Sequence, residues 1–237
     1  MAATKVKGIV IGGVNIKEKD RLVSLYTLEN GKMSLSMRGV RGEKAKMKFA
    51  KEIFCFGEYI IEEGKAGPVV VGVDIIDNFF GLSADIDKYY EGCAILDMVS
   101  KVSSESNPTL FIEIIKALKT LCYENCKKYY VFDKFLLSFL EINGWGFLDE
   151  HCSSCGATLS NNRYLNLEIG ELVCPACKNA LSTVVSDVCY NTLKILEKTP
   201  YEKLSTLTVA ESGEVQACRL LVKDYELRTG NKILELK

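Results

Sequence analysis

Four of the ten cysteines stand in two close pairs whose spacing is typical of a metal site. The pairs are Cys152–Cys155 and Cys174–Cys177, each with two residues between its members, and 18 residues separate one pair from the other. This matches the two-pair template of an all-cysteine zinc site, with roughly 15–20 residues between the pairs. Four thiolates fill the tetrahedral shell of zinc and leave no position for water. We therefore expect one structural zinc ion per chain and not a catalytic one.

Other chemistries fit these cysteines less well. A thioredoxin-like redox motif has one C-x-x-C pair beside a βαβ unit, whereas this chain has two pairs and no such pattern. A zinc deaminase needs an H-x-E motif, but the single histidine, His151, is followed by Cys152 and Ser153. His151 could replace one cysteine as a ligand, although its adjacency to Cys152 favours a bystander. For the other six cysteines we expect packing in the core: Cys55, Cys93, Cys122, Cys126, Cys189 and Cys218.

Positive charge is concentrated at the start of the chain. Residues 1–51 hold twelve lysines and arginines against four acids, a net charge of +8. The remaining 186 residues hold 18 basic and 27 acidic side chains and carry −9, so the total of −1 hides a basic head on an acidic body. Within the head, residues 38–51 contain six cations and one acid. Such asymmetry indicates a polyanionic partner.

Aromatic side chains accompany this basic run. Phe49, Phe54, Phe56 and Tyr59 lie in it or just after it. Small β-barrels hold single-stranded nucleic acid in a cationic groove beside aromatic side chains on which bases stack. Two alternatives stay open: the run is a solvated lysine-rich loop, or the aromatics belong to the core. The segment 39–42 also has the GXXG pattern of KH domains, but it follows a strand and does not join two helices, which disfavours that interpretation.

No motif for catalysis is present. The sequence has no phosphate-binding loop, no dinucleotide-binding glycine pattern after a strand and no nucleophile elbow, so we expect a protein that is not an enzyme. No apolar run approaches the roughly 20 residues needed to cross a bilayer, and the N-terminus lacks the apolar region of a signal peptide. We expect a cytoplasmic protein whose cysteines are thiols or metal ligands.

Strands come first along the chain and helices follow. Five strands are predicted by apolar or alternating runs at Ile9–Val14, Leu22–Leu28, Met33–Arg38, Ile53–Ile61 and Val69–Phe79, with a hairpin at Asn30-Gly31 and a connecting loop over 39–51. Helical periodicity begins at Leu82, restarts at Asn107-Pro108, covers about 130–143, and resumes after Ser186, after Thr199 and across 215–225. The order indicates an α+β protein, with a small antiparallel barrel or sandwich before a helical region that the cysteines interrupt.

This order of features resembles the RecO family of bacterial recombination mediators. The resemblance is carried by Thr27–Lys32 and Met37–Gly42 in the basic head, and by Phe135–Gly144 running into Cys152–Gly156. It extends over essentially the whole chain. It implies an N-terminal five-stranded OB-fold domain over residues 1–80. An α-helical domain over residues 81–237 would follow, with the zinc module inserted at about 151–179.

The resemblance also implies a role in DNA repair and recombination. RecO proteins bind single- and double-stranded DNA, anneal complementary strands, and work with RecR in the RecF pathway to load RecA onto strands coated by SSB, whose C-terminal tail they bind. On that basis we expect a cytoplasmic, nucleoid-associated protein without a membrane partner. The side chains that would contact DNA are Lys19, Arg21, Lys32, Arg38, Arg41, Lys44, Lys46, Lys48 and Lys51. The alternative hypothesis is a zinc-containing scaffold that binds only proteins and does not contact DNA.

Overall fold

A computed structural model describes residues 3–234 of the chain. These residues form two compact units, one comprising the residues up to Tyr123 together with Leu234, and the other comprising Glu124–Ile233. The domain boundary expected near residue 80 stays a prediction. The first two residues of the expected 1–80 domain and the last three of the 81–237 domain lie outside the described residues.

The first unit contains a closed barrel of five strands. They are β1 (Thr4–Asn15), β2 (Arg21–Thr27), β3 (Gly31–Met37), β4 (Phe56–Gly64) and β5 (Gly67–Asp77). Their order around the barrel is β1-β2-β3-β5-β4, and every pairing is antiparallel except that of β3 with β5, which meet in parallel at Ser36 and Val69. The predicted five-stranded barrel is confirmed, and its order is that of the OB-fold.

Alternation along β3 places the barrel core. Leu35 and Met37 are buried and Met33 packs against them, whereas Ser34 between them is exposed. The predicted hairpin joins β2 to β3, and Gly31 takes a left-handed conformation with φ of +67° at its end. The expected strand start at Ile53 is wrong, since Phe54 has a positive φ of 72° and β4 begins only at Phe56. Two backbone hydrogen bonds hold this turn: the Phe54 amide donates to the Val10 carbonyl, and the Val10 amide donates to the Cys55 carbonyl. Alternation of apolar and polar residues does not predict these bonds.

Two helices complete the first unit, α1 (Ile86–Val102) and α2 (Pro108–Tyr123), preceded by a short 3-10 helix at Phe80–Ala84. The predicted start at Asn107-Pro108 is confirmed, because the Asn107 side chain accepts a hydrogen bond from the Leu110 amide at 3.0 Å. α2 packs on the barrel through Phe111, whose ring is stacked 6.4 Å from that of Tyr26. The helices therefore cover one side of the barrel.

The second unit combines three helices with a small sheet. The helices are α3 (Tyr130–Ile142), α4 (Asp187–Lys198) and α5 (Glu211–Thr229), and the sheet holds β6 (Arg163–Asn166), β7 (Glu171–Val173) and β8 (Ser182–Val185) in the order β7-β6-β8. Gly144, with φ of +73°, follows the end of α3, and the Ser186 side chain caps α4. The helix expected after Thr199 is only a 3-10 helix over Tyr201–Thr206.

Thr199 does not cap the short 3-10 helix that follows it. Pro200 is the N-cap residue of the short 3-10 helix, and no side chain accepts a hydrogen bond there. The Thr199 hydroxyl instead donates to the Ile195 carbonyl in the last turn of α4. The core of the unit lies between α3 and α5, where the Phe139 ring is 6.0 Å from the rings of both Phe135 and Tyr225. In the described part of the chain, no helix is both long and apolar enough to cross a membrane.

Candidate nucleic-acid interface and metal centre

Residues 38–51, here called the basic segment, form a chain of tight turns. The amides of Gly42, Ala45 and Lys48 donate to the carbonyl oxygens of the third residue before each, at 3.2, 3.1 and 3.2 Å. No regular helix or strand occurs between Met37 and Phe56. The expected connection between strands is therefore a loop built of successive turns.

Buried side chains attach the basic segment to the barrel. Val40 and Ala50 are buried in the same core cluster as the strand residues, and Met47 packs against that cluster. The hydroxyl of Tyr59 on β4 donates to the Ala50 carbonyl at 3.2 Å. Because these contacts anchor the segment near both ends and at Met47, its backbone has a defined position on the barrel. The cationic side chains extend from this backbone.

Four of the nine cations expected to contact DNA have partners within the protein. The Arg41 guanidinium donates to the carbonyl oxygens of Lys17 and Glu18, each at 2.9 Å, and so supports the turn between β1 and β2. The Lys32 ammonium donates to the Ser100 carbonyl at 2.7 Å, and Arg21 donates to Asn15 at 3.2 Å. Lys51 forms an ion pair with Glu52. All four side chains therefore have polar partners within the first unit.

The other five cations are exposed on the surface. They are Lys19, Arg38, Lys44, Lys46 and Lys48. Among the described residues, Arg38, Lys44 and Lys46 have no hydrogen-bond or ion-pair partner for their side chains. Arg38 lies close to the turn between β4 and β5, since a Cβ placed on Gly64 would be 3.6 Å from its guanidinium. The structure thus leaves a set of unpaired positive charges at the start and along the outer face of the basic segment.

Two of the four aromatics near the basic segment are buried, and a third, Phe56, is half-buried. Phe54 is buried with its ring edge-on to Tyr89 at 5.5 Å, and Tyr59 is fully buried in the barrel. Phe56 packs against Phe111 at 5.9 Å. Phe49 differs, because its side chain is 58% exposed and the Lys48 ammonium lies 5.7 Å from the centre of its ring.

The four cysteines of the predicted metal site come together. Their sulfur atoms all lie within 4.8 Å of one another, and the Sγ atoms of Cys155 and Cys174 are 3.8 Å apart. Four sulfurs bound tetrahedrally at a Zn–S distance of about 2.3 Å would be separated by about 3.8 Å. The β6–β7 hairpin closes the chain between the two pairs. The donor set and its spacing therefore fit a tetrahedral metal ion held by Cys152, Cys155, Cys174 and Cys177.

Backbone amides favour the thiolate form of Cys152. Burial raises the pKa of this thiol, but the backbone N–H groups of Cys174, Cys155 and Ser154 lower it, to about 6. Gly156, with φ of +74°, lets the chain turn back so that its own amide donates to the Cys152 carbonyl at 2.8 Å. The thiolate is the form of cysteine that binds zinc, so these amides favour metal binding at the first cysteine pair.

His151 lies outside the group of ligand atoms, as expected of a bystander. Its Nδ1 is 3.6 Å from an Asp149 carboxylate oxygen, and the side chain is exposed. Of the six other cysteines, Cys55 and Cys189 are buried as predicted. The remaining four are half-buried: Cys93, Cys122, Cys126 and Cys218.

Two arginines that the sequence analysis did not single out hold the metal module to its unit. Arg163 on β6 forms an ion pair with Asp187, and its guanidinium lies 4.1 Å from the Tyr190 ring on α4. Arg228 on α5 donates to Asp224 at 2.8 Å and to the carbonyl of Gly170 in the β6–β7 turn. An arginine on a short strand or a helix is common, and only the distant partners reveal these roles.

Comparison with known proteins decides the family. The model described as Recombination protein O N terminal matches residues 1–79, and the model described as Recombination protein O C terminal matches residues 83–236. The chain belongs to the RecO family. The resemblance read from the sequence is therefore confirmed, and the barrel is the OB-fold domain of a RecO protein.

Individual RecO proteins are similar to this chain over most of its length. The DNA repair protein RecO of Clostridium novyi is 29% identical over 220 residues, which are 92% of this chain and 86% of the relative. That of Clostridium perfringens is 27% identical over 92% of this chain and 88% of the relative. That of Thermobifida fusca is 26% identical over 100% of this chain and 98% of the relative. These names place the family in DNA repair and recombination and mention no catalysed reaction.

Proposed function

We propose that this chain is a recombination mediator that binds single- and double-stranded DNA through the basic segment and anneals complementary strands. With RecR it would help to load RecA onto SSB-coated strands in the RecF pathway. The observation that carries the proposal is the set of exposed cations on a fixed backbone, Arg38, Lys44, Lys46 and Lys48. Family membership supplies the biological setting.

The mechanism is electrostatic. Cations that neutralise DNA phosphates release condensed counterions, which stabilises the complex. Neutralised strands also repel one another less, so a bound strand can meet its complement. The exposed cations can serve in this way without losing an internal partner, whereas Lys32 and Arg41 would have to give up hydrogen bonds of 2.7 and 2.9 Å. We therefore assign DNA contact mainly to the exposed set.

For the metal centre we propose one zinc ion in a structural role, without a catalytic function. Four thiolates complete the coordination of zinc, so no position is open to water or substrate. A bound ion would join the two cysteine pairs and fix the β6–β7 hairpin, which Arg228 in turn connects to α5. The metal would therefore stabilise the second unit.

The protein partners follow from the family. We propose RecR, the C-terminal tail of SSB and, functionally, RecA as partners, and a location in the cytoplasm at the nucleoid. A cavity in the second unit, lined in part by Lys134, Phe147 and Leu148, is a weak match for the acidic SSB tail. Its lining also includes Glu141 and Glu197, whose carboxylates would repel an acidic peptide. We therefore do not place the tail in this cavity.

Salt-dependent binding tests the DNA-binding proposal. The affinity for a labelled single strand should fall as salt rises, with a slope of about −0.7 per phosphate contact. The variant Arg38→Gln/Lys44→Gln/Lys46→Gln/Lys48→Gln should bind more weakly. Because up to four phosphate contacts are lost, the slope of log affinity against log salt should become less steep by up to about 3. The control removes the same charge from the helical part through Lys119→Gln/Lys198→Gln/Lys203→Gln/Lys223→Gln, all exposed residues. Equal effects of the two variants would contradict the proposed interface.

Strand annealing on SSB-coated DNA, with and without RecR, tests the mediator role. We expect annealing by the chain and a dependence on RecR for RecA loading. The scaffold hypothesis instead predicts no complex with DNA even at low salt. A metal-dependent nuclease assay on the same samples should show intact DNA. Nuclease activity that copurifies with the protein would contradict the expectation that the chain is not an enzyme.

A further inference from the structure

We propose that Phe49 stacks on an unpaired base and gives the basic segment a preference for single-stranded over double-stranded DNA. The inference rests on the proposed DNA-binding function and names the form of DNA that the site selects. It starts from an exposed aromatic ring beside a cation of the basic segment, since Phe49 is 58% exposed and Lys48 lies next to its ring.

The backbone holds Phe49 outward. Its neighbour Ala50 is fully buried and accepts a hydrogen bond from the Tyr59 hydroxyl at 3.2 Å. The carbonyl of Phe49 itself accepts from the Glu52 amide at 3.2 Å, and Met47 packs on the barrel core. Because Met47 and Ala50 face inward on either side of Lys48 and Phe49, the Phe49 ring cannot enter the core without breaking these contacts. The ring is a fixed surface feature.

The surroundings of the ring suit a nucleotide. The Lys48 ammonium is 5.7 Å from the ring centre, within the range of a cation–π contact, and Lys46 is exposed nearby in sequence. On one nucleotide, the flat base and the charged phosphate are separated only by the sugar. A base stacked on Phe49 would therefore bring its phosphate toward a cation of the same segment. An apolar protein partner would gain nothing from these ammonium groups.

Selection for single strands follows from what a stacking side chain can reach. In a duplex, both faces of each internal base are covered by neighbouring bases, so an aromatic side chain cannot stack on them without unstacking the helix. In a single strand, the face of any base is accessible, and stacking on an aromatic ring tolerates every sequence. Phosphate contacts of the exposed lysines, by contrast, are open to both forms. Phe49 is thus the part of the interface that distinguishes them.

The test uses three fluorescent probes of equal length: an oligothymidine strand, a duplex, and a strand of abasic sugar-phosphate units. With the full chain we expect Phe49→Ala to weaken binding of the oligothymidine by about 5- to 150-fold, the range for loss of one stacked base. Binding of the duplex and of the abasic strand should change by less than about twofold. Phe49→Tyr should restore single-strand binding. Phe49→Leu should not, because leucine keeps apolar volume but has no π-face.

Phe80→Ala is the matched control. Phe80 is 73% exposed in the same unit but lies outside the basic segment, so its removal should leave all three affinities unchanged. Both phenylalanines are exposed, and urea unfolding should show unchanged stability in either variant. If Phe49→Ala binds the oligothymidine as tightly as the unmodified chain, or loses abasic and duplex binding equally, the stacking role is overturned. If the unmodified chain binds none of the probes, the proposed DNA-binding function itself fails.

Discussion

The Arg41 guanidinium donates a hydrogen bond of 2.9 Å to the carbonyl oxygen of Lys17. A second bond from the same nitrogen reaches the Glu18 carbonyl, and the backbone amide of Arg41 donates to the Lys19 carbonyl at 3.1 Å. The turn between β1 and β2 is therefore fastened to the basic segment. As a result, exposed Lys17 and Lys19 are held on the same side of the barrel as the start of that segment.

Arg41 and Arg38 should behave differently when replaced. We expect Arg41→Ala to lower the free energy of unfolding by about 1 kcal/mol, since two hydrogen bonds from a charged donor are lost at an exposed site. Arg38→Ala should leave stability within about 0.5 kcal/mol of the unmodified chain, because Arg38 is exposed and forms no such bond among the described residues. Arg41→Lys should recover only part of the loss, because an ammonium is not a planar donor fork.

Urea unfolding of the three variants measures these differences. Loss of DNA affinity should follow the opposite order, with Arg38→Ala weakening binding without a change in stability. An Arg41→Ala protein that is as stable as the unmodified chain would show that the turn does not depend on its guanidinium.

Two glycines with the same backbone conformation provide a second matched pair. Gly31 and Gly39 both have φ of +67°. A Cβ on Gly31 would lie 2.4 Å from the backbone carbon of Glu105 and 2.5 Å from the Ser104 oxygen, whereas a Cβ on Gly39 meets nothing within 4 Å. Gly39→Ala should therefore cost about 1–2 kcal/mol for the left-handed conformation alone. Gly31→Ala should cost clearly more, because the segment between α1 and α2 must move away.

Thermal or urea unfolding of both glycine variants gives the comparison, and the difference between them isolates the close approach of Ser104 and Glu105. Equal destabilisation would mean that this segment shifts without cost. Gly31 is also the residue that ends the predicted hairpin, so a feature visible in the sequence has a second role that is visible only in the structure.

Local signals in the sequence predict most of the fold. Alternation at Met33, Leu35 and Met37 places β3 correctly, and the Asn107-Pro108 pair marks the start of α2 because a cap and a first-turn proline act within a few residues. The cysteine spacing predicts the metal centre for the same reason, since the two cysteines of each pair are only three residues apart. β8 was not predicted, and a regular helix was expected where the 3-10 helix at Tyr201–Thr206 lies, because contacts with the rest of the unit decide both elements.

Long-range partners explain what the sequence does not predict at the interface. Arg41 and Arg38 are indistinguishable in a basic run, and only the carbonyls of Lys17 and Glu18 show that Arg41 is used internally. Likewise, the basic run itself does not reveal that Ala50 is buried and Phe49 exposed. Charge composition thus indicates the proposed interface, and tertiary contacts distinguish its paired residues from its exposed ones.

Removal of the metal should affect the cysteines selectively. In the zinc-bound protein we expect Cys155 to resist alkylation although it is exposed, and to react rapidly after treatment with a chelator. Buried Cys55 and Cys189 should stay unreactive in both cases, and burial raises the pKa of Cys189 to about 12. Mass spectrometry of alkylated protein, together with elemental analysis for one zinc per chain, measures this outcome.

Cys155→Ser should abolish stoichiometric metal and lower the melting temperature, because metal binding is coupled to folding of the module. Cys122→Ser changes a half-buried thiol outside the cluster and serves as the control, with metal content unchanged. Freshly purified, reduced protein that contains no zinc and melts at the same temperature with or without chelator would contradict a structural metal.

Asp224 should make the stability of the protein depend on pH. Its carboxyl group is buried on α5, and burial raises its pKa to about 6 although Arg228, at 2.8 Å, lowers it in part. In the unfolded chain an aspartate has a pKa of about 3.9, so between these two pKa values the folded state binds the proton more tightly. This stabilisation is fully present below about pH 4 and is lost as the pH rises through about 6.

The contribution amounts to at most about 3 kcal/mol, two pKa units at about 1.4 kcal/mol each. Asp224→Asn removes the titrating group. The difference in unfolding free energy, unmodified chain minus variant, should therefore grow by up to that amount as the pH falls from 7 to 4. Arg228→Gln should move the transition to higher pH, because the group that favours the carboxylate is lost. Urea unfolding at four pH values measures both effects. A difference between the unmodified chain and Asp224→Asn that is constant with pH would show that the buried carboxyl keeps its ordinary pKa.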